Sequence, residues 1–410
     1  MGVSPDFIRA TTDRVTGLCH RPRGTVWTEP HGHGNLASSQ QIRTLRLLVY
    51  ERESALTLAV GAGIEQSSRV LGAVLSLALI AILTTYFWIS LAGQEPPAVT
   101  ASLKLTPHDA LFGIAMPDSQ HGWIVGRYGL VLHTEDGGKT WNQQQTGTAK
   151  ALTGVSFVDR THGFCVGSGG TILVTADGGR SWTPQESGVA EQLLGVQALS
   201  PTVAWVVGAY GTLLSTNDGG VHWVKHALSW DRLIAEEGSE ASYLEPNLNA
   251  VFFLNPALGW VVGEFGLILH TTDSGETWTA NRYGVQLPQL YSIVVQENGK
   301  GWALGQKASF LRTADLGKHW EEIDLGVKRD LYALTLESAL GIVVGNGIAL
   351  ATNDGGATWK PIMPFPEDLW FASVATRGPD ALAVGAAGAI WTIDLPKSAG
   401  SAQAASGVLR

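Results

Sequence analysis

The sequence predicts an all-β protein, a seven-bladed β-propeller of four-stranded blades, preceded by one transmembrane helix and a tail without regular structure. Three observations carry that expectation. A box centred on Asp recurs six times, as HTEDGGKTW (133–141), VTADGGRSW (174–182), STNDGGVHW (215–223), HTTDSGETW (270–278), RTADLGKHW (312–320) and ATNDGGATW (351–359). A second marker precedes every box, as GWIVG (122–126), GFCVG (163–167), AWVVG (204–208), GWVVG (259–263), GWALG (301–305) and GIVVG (341–345), and returns a seventh time as ALAVG (381–385). Finally, Val70 to Ala92 is a run of 23 residues without a charge.

Composition sets the outer bounds. Fifty glycines, fifteen tryptophans and only 15% charged residues in 410 suit a turn-rich β protein. The net charge is −9, but residues 1–69 hold eight Arg against six acids, so the chain beyond them carries −11. An acidic body excludes nucleic acid as the natural partner. Cys19 and Cys165 lie on opposite sides of the apolar run and form no disulfide framework. Cys165 occupies the place that Ile124 and Val206 take in sister repeats, so it reads as a small core residue.

Taken in chain order, residues 1–69 are a Pro-, Gly-, Ser- and Arg-containing segment, expected as a largely disordered cytoplasmic tail. The apolar run 70–92 is long enough to cross a bilayer as a helix. Arg69 precedes it and no Lys or Arg follows before Lys104, which puts the N-terminus inside and the body outside. The expected location is therefore an inner, cytoplasmic membrane crossed once, with the propeller in the periplasm or a thylakoid-lumen-equivalent space. A cleaved signal peptide ending at Ser90-Leu91-Ala92 is the alternative, for which the run is long. Residues 93–99, with Pro96-Pro97, read as a stiff linker, residues 100–395 as the propeller, and residues 396–410 as a disordered tail.

The box aspartates, Asp136, Asp177, Asp218, Asp273, Asp315 and Asp354, are separated by 41, 41, 55, 42 and 39 residues. Units near 40 residues, β-branched and aromatic, with turns marked by Gly, are the signature of propeller blades. In the first unit LFGIAMP, HGWIVG, LVLHT and KTWNQ are expected as strands from the axis outward. The seventh unit has no closing Trp, while the alternating run Ala101 to Thr106 has no partner in its own unit. Pairing that run onto blade seven would close the ring and remove two open edges.

A catalytic constellation is built once, whereas a turn recurs wherever the architecture does. The box falls between the third and fourth strands, where the Asp carboxylate accepts backbone N–H groups and the second Gly takes positive φ. Trp141, Trp182, Trp223, Trp278, Trp320 and Trp359 restart the outer strand and bury a ring between blades. The Asp–Trp boxes are therefore scaffolding, and the D-x-[DN]-x-[DN]-G spacing of a calcium loop is missing. No catalytic residue, metal site or cofactor is expected.

The box, the upstream G-W-x-V-G and the links GLVLHT (129–134), GTILVT (170–175), GTLLST (211–216) and GLILHT (266–271) together resemble the photosystem II stability/assembly factor family over residues 100–395. That resemblance implies a seven-bladed propeller outside the cytoplasm that assists assembly of a membrane protein complex, or binds its assembly intermediate, without catalysis. This chain differs from the photosynthetic members in its plain apolar anchor and long tail. Two alternatives stand beside it: a sialidase-like or other glycan-acting exported hydrolase, and an accessory subunit of a membrane transporter. Sialidases resemble this chain in the box alone. They use six blades and a triad of arginines, whereas Arg127, Arg160, Arg180, Arg282, Arg312 and Arg377 fall at unlike positions of their units.

Turns between strands two and three share a face with the links between blades, opposite the boxes. Arg127, Tyr128, Tyr210 and Phe265 stand at those tips and are the expected partner-binding residues. The one long interval, 55, locates an insertion in SWDRLIAEEGSEASYLEP (229–246). Its Asp231, Glu236 and Glu237 are expected to meet a basic partner surface. No small-molecule substrate is expected.

Overall fold

A computed structural model describes residues 105–395 except 107, 234–244, 283 and 285, and only the backbone of Asp231 and Arg232. The expected tail, the apolar span 70–92, the linker 93–99, most of the closing strand 101–106, Glu236 and Glu237 of the insertion, and the tail after 395 lie outside these residues.

Within them the chain forms six antiparallel four-stranded sheets and one of three strands, each in chain order. Blade one runs Leu111–Ala115, Gly122–Gly126, Val131–Thr134 and Asn142–Gln144, as the sequence predicts. Blade seven has Phe371–Thr376, Asp380–Gly385 and Ile390–Asp394. The first strands of successive blades pack side by side, and that of blade seven meets that of blade one, so seven inner strands close a ring around one axis. Crowding there explains a column of small residues. An added Cβ on Gly113 would lie 3.4 Å from Val155 of the next blade, and one on Gly195 would lie 3.0 Å from the Asn249 carbonyl. Ala250, Ser292, Ala333 and Ser373 fill the same column.

The second strands are buried except for Leu340 and Asp380, which open those of blades six and seven, and Trp123, Trp260 and Trp302 on them are the largest fully buried side chains. Burial of rings this size is the main apolar term joining one blade to the next. Cys165 is a fully buried free thiol in the same layer, and burial pushes its pKa up. At the ring closure, Leu105 packs with Leu382, Val384 and Ile390. A Cβ on Gly388 would lie 2.8 Å from Leu105. The last residues of the expected closing strand thus sit against blade seven.

The box is a turn, with a hub the sequence reading did not identify. In the second copy the Thr175 hydroxyl donates to Asp177 Oδ1 (2.8 Å) and accepts the amides of Asp177 (3.3 Å) and Gly179 (2.8 Å). Asp177 then accepts the Ser181 amide at 2.9 Å and the Ser181 hydroxyl at 2.6 Å. All six copies repeat this pattern, and the six threonines are at most 3% exposed. In the third and fifth copies the Nδ1 of His222 and His319 replaces the hydroxyl, 2.7 and 2.6 Å from the carboxylate.

Both residues after the Asp have positive φ, not only the second, and Ser274 (63°) and Leu316 (60°) hold the first position without Gly. The second position is Gly in every copy: its φ is positive throughout, and a side chain of the preceding blade lies on it, Leu382 at Gly138, Gln144 at Gly179, Val174 at Gly220 and a Trp ring in the other three. A Cβ at Gly275, Gly317 or Gly356 would run into Trp205, Trp260 or Trp302 respectively. Of the box tryptophans, Trp182 and Trp278 are buried, whereas Trp141, Trp223, Trp320 and Trp359 are half-buried.

Candidate functional site: the tip face

The turns between strands two and three lie with the inter-blade links, as expected. The Gly170 amide donates to Glu191 in the link beyond blade two, Gly211 to Pro246 beyond blade three, and Gly347 to Leu369 beyond blade six. The boxes lie with the turns between strands one and two, since Gly137 donates to Gln120 and Gly178 to Thr161. The two faces are therefore built from different loops.

The second residue of every tip lies in the left-handed region, and in all but the blade-six tip the residue after it does too. Those second residues are Tyr128 (φ 57°), Gly169 (63°), Tyr210 (53°), Phe265 (58°), Lys307 (57°), Gly347 (64°) and Ala387 (54°). Glycine adopts that conformation without steric cost, and blades two and six use it. A bulky side chain there is strained. Blades one, three and four nonetheless place aromatic rings there, with Tyr128 69% and Tyr210 59% exposed and Phe265 half-buried. The turn itself requires no ring there, since Gly, Lys and Ala hold the same conformation at the other tips.

The structure brings two of these tips together and leaves the third apart. The Tyr210 amide donates to Asn247 Oδ1 at 3.0 Å. The Asn247 Nδ2 and amide donate to the two carboxylate oxygens of Glu264 at 3.0 and 2.9 Å. Glu264 opens the next tip, and Phe265 follows it. The carbonyl of Phe265 accepts the Gly284 amide and that of Gly266 accepts Arg282 Nη1 at 3.1 Å. Tyr210 and Phe265 thus ride on one hydrogen-bonded frame. Tyr128 and the half-buried Arg127 stand on blade one, separated from that frame by the Ser168–Gly169 tip of blade two, to which Lys150 Nζ donates at 3.1 Å.

The insertion is pinned to the same frame. It begins as a helical turn, Trp230–Leu233, whose first residue is only 9% exposed. The Trp230 ring lies on the tip of blade three, where a Cβ on Gly211 would come within 2.6 Å of it. Leu228 and Leu233 pack into the same cluster, and Pro246 closes the far end through the Gly211 amide. Trp230 and Asn247 were missed as site residues. The signal for Trp230 was available, since it is a Trp outside both recurring motifs at the point where the spacing breaks.

Four of the six arginines named as a possible carboxylate clamp are engaged separately. Arg160 pairs with Asp118 (2.7 Å), Arg312 with Glu321 and Arg377 with Asp380, while Arg282 holds the Gly266 carbonyl. Among the described residues no group of three or more His, Cys, Asp or Glu is placed to hold a metal ion.

Comparison with known proteins bears on this architecture. The family model of photosynthesis system II assembly factor YCF48 matches residues 98–151, 140–196, 186–295 and 288–392. A search of curated proteins returned no match. Among solved structures, YCF48 bound to D1 peptide is 21% identical over 70% of this chain and 93% of its own, with a TM-score of 0.55. YCF48 from Cyanidioschyzon merolae is 21% identical over 70% of this chain and 96% of its own, with a TM-score of 0.59. The GH74 xyloglucanase from Xanthomonas campestris is 13% identical over 74% of this chain and 54% of its own, with a TM-score of 0.57. At these identities the structures share a fold; likeness to an assembly factor and to a glycan hydrolase alike shows that fold does not fix activity.

Proposed function

The chain belongs to the family of photosynthesis system II assembly factor YCF48, and from that premise we propose that it is a non-catalytic scaffold that holds a segment of a membrane protein complex during assembly. The binding surface is the tip face around Tyr210, Phe265 and the insertion. One observation carries the assignment of the face: two aromatic tips and both ends of the only gross insertion are tied together through Asn247, Glu264 and Trp230. Loops carried on a rigid ring are where a propeller can vary its partner without disturbing its core. A relative that holds a D1 peptide supports reading the partner as a polypeptide segment rather than a small molecule. Aromatic side chains at the centre of an interface contribute most of its energy, and a charged rim orients the partner.

The apolar run 70–92 completes the proposal, anchoring the propeller outside the inner membrane beside its client. A cysteine introduced before Arg69 should then resist a membrane-impermeant thiol reagent that labels one placed at Ser181. To test the face, residues 231–245 are replaced by a short Gly-Ser link, and separately Tyr210→Ala is combined with Phe265→Ala. Both variants should melt close to the parent chain yet recover less crosslinked partner from intact membranes. Undiminished recovery in both would place the interface elsewhere.

A further inference from the structure

The inner strands carry a second regularity that the scaffold does not require. In every blade the register shifts between the first and third residues, as where Leu111 pairs with Gly126 but Gly113 with Val125. One residue per blade is left out of the ladder at the tip end of the ring: Phe112, Thr153, Leu194, Asn249, Tyr291, Tyr332 and Ala372. A bulge re-aims its side chain. Since sister blades fill the position with Thr, Leu, Asn and Ala, the fold itself demands no ring there.

The rings nevertheless cluster on consecutive blades. Tyr291 of blade five meets Tyr332 of blade six edge-on, with centroids 5.5 Å apart. Phe112 of blade one stacks on Trp370, which precedes the inner strand of blade seven, at 6.3 Å and 7°. All four are half-buried. On the other side of the ring Thr153 donates to the Leu193 carbonyl (2.6 Å) and Asn249 to that of Leu290 (2.7 Å), so that side is self-satisfied. An aromatic arc therefore spans blades five to one.

Asp330 sits beside this arc. One carboxylate oxygen accepts the Lys307 amide at 2.7 Å, and the other has no hydrogen-bond or ion-pair partner among the described residues. Neighbouring Arg329 is turned away, onto Glu367 at 3.2 Å and the carbonyls of Asn346 and Glu367. Burial first, then the negative field of Asp330, pushes Tyr332 up to about 12; Tyr291 also reaches about 12, raised chiefly by burial against the lowering hydrogen bond from Gln289, with Asp330, Tyr332 and Glu264 adding to the rise. The phenols stay neutral at working pH.

We propose that Phe112, Trp370, Tyr332, Tyr291 and Asp330 form a binding site at the axis of the tip face for a Lys or Arg side chain of an extended partner peptide. Ring faces attract a cation through their quadrupole, and the Asp330 carboxylate, with one oxygen open, supplies the charge complement. The inference rests on reading the tip face as the partner face and names the chemistry that the face selects.

Asp330→Asn isolates the charge. Asn247 occupies the corresponding place two links earlier and holds the Tyr210 amide through its amide oxygen, so Asn at 330 can keep the Lys307 contact. The full chain in neutral detergent is titrated into fluorescein-labelled Gly-Lys-Gly-Arg-Gly, with an acetyl-lysine/citrulline peptide and Gly-Glu-Gly-Glu-Gly as comparators, and anisotropy is followed. The basic peptide should bind about tenfold tighter than the neutral one, and Asp330→Asn should abolish most of that difference. Tyr332→Ala should weaken it about fivefold while Tyr332→Phe retains it. Equal binding of basic and neutral peptides, tighter binding of the acidic one, or indifference to both Asp330→Asn and Tyr332→Ala would overturn the proposal. Tyr210→Ala with Phe265→Ala separates the two readings: partner recovery lost without any basic-peptide binding removes the axial site and leaves the tips standing.

Discussion

Thr175→Val replaces a hydroxyl by a methyl of similar size at the hub of the second box. The parent side chain makes three hydrogen bonds and is only 3% exposed. Its removal leaves the Gly179 amide, itself buried, without its acceptor. An unsatisfied buried donor costs about 1–3 kcal/mol, and the lost bond to Asp177 adds about 1 kcal/mol, so about 2–4 kcal/mol is expected. Asp177→Ala should cost less, about 1 kcal/mol, because the Ser181 groups it releases are exposed and return to water. Urea unfolding of the full chain in neutral detergent, followed by tryptophan fluorescence, ranks the two by midpoint. A Thr175→Val midpoint at or above that of Asp177→Ala would refute the claim that the threonine, rather than the named aspartate, anchors the box.

Two further outcomes follow from the same geometry. Deleting residues 100–106 removes Leu105 from its place against Leu382, Val384 and Gly388, and should lower the thermal midpoint of the whole propeller rather than fray one blade; an unchanged midpoint would contradict ring closure by this segment. Acid sensitivity is the second. The His222 amide holds Asp218, and the Thr277 hydroxyl holds Asp273, with carboxyl pKa values lowered to about 2. A carboxyl depressed in the folded state contributes stability that is whole above the unfolded value, about 4, and is lost as pH falls through the folded one. Urea midpoints should therefore drop between about pH 4 and pH 2, and Asp273→Asn should flatten part of that slope.

The repeat made the fold legible. Six boxes and seven G-W-x-V-G-type strands fix strand order, blade number and the separation of faces, because each motif is tied to one place in the blade. What escaped was information that depends on the neighbouring blade. The close approach at the second box position comes from the preceding blade, as Trp205, Trp260 or Trp302 in three copies and Leu382, Gln144 or Val174 in the others, and no single repeat displays that contact. The tip residues were found because they vary within a constant frame, but their grouping was not. Tyr210 and Phe265 are joined by Asn247 and Glu264, whose polar side chains look like ordinary surface residues until the link and the tip are brought together. The inner aromatic arc was present as a column in the repeat, in LFG, LYS and LYA, yet its meaning depends on a bulge that periodicity does not reveal.

The central claim is that the tip face, not the box face, meets a membrane-protein partner. A photo-crosslinking amino acid is placed at Tyr210 and, in a separate chain, at Ser181 on the box face, and both are irradiated in intact membranes. The claim predicts a discrete adduct with one membrane protein from position 210, weakened by replacing residues 231–245, and none of that adduct from position 181. The same adduct arising from position 181 alone would contradict it.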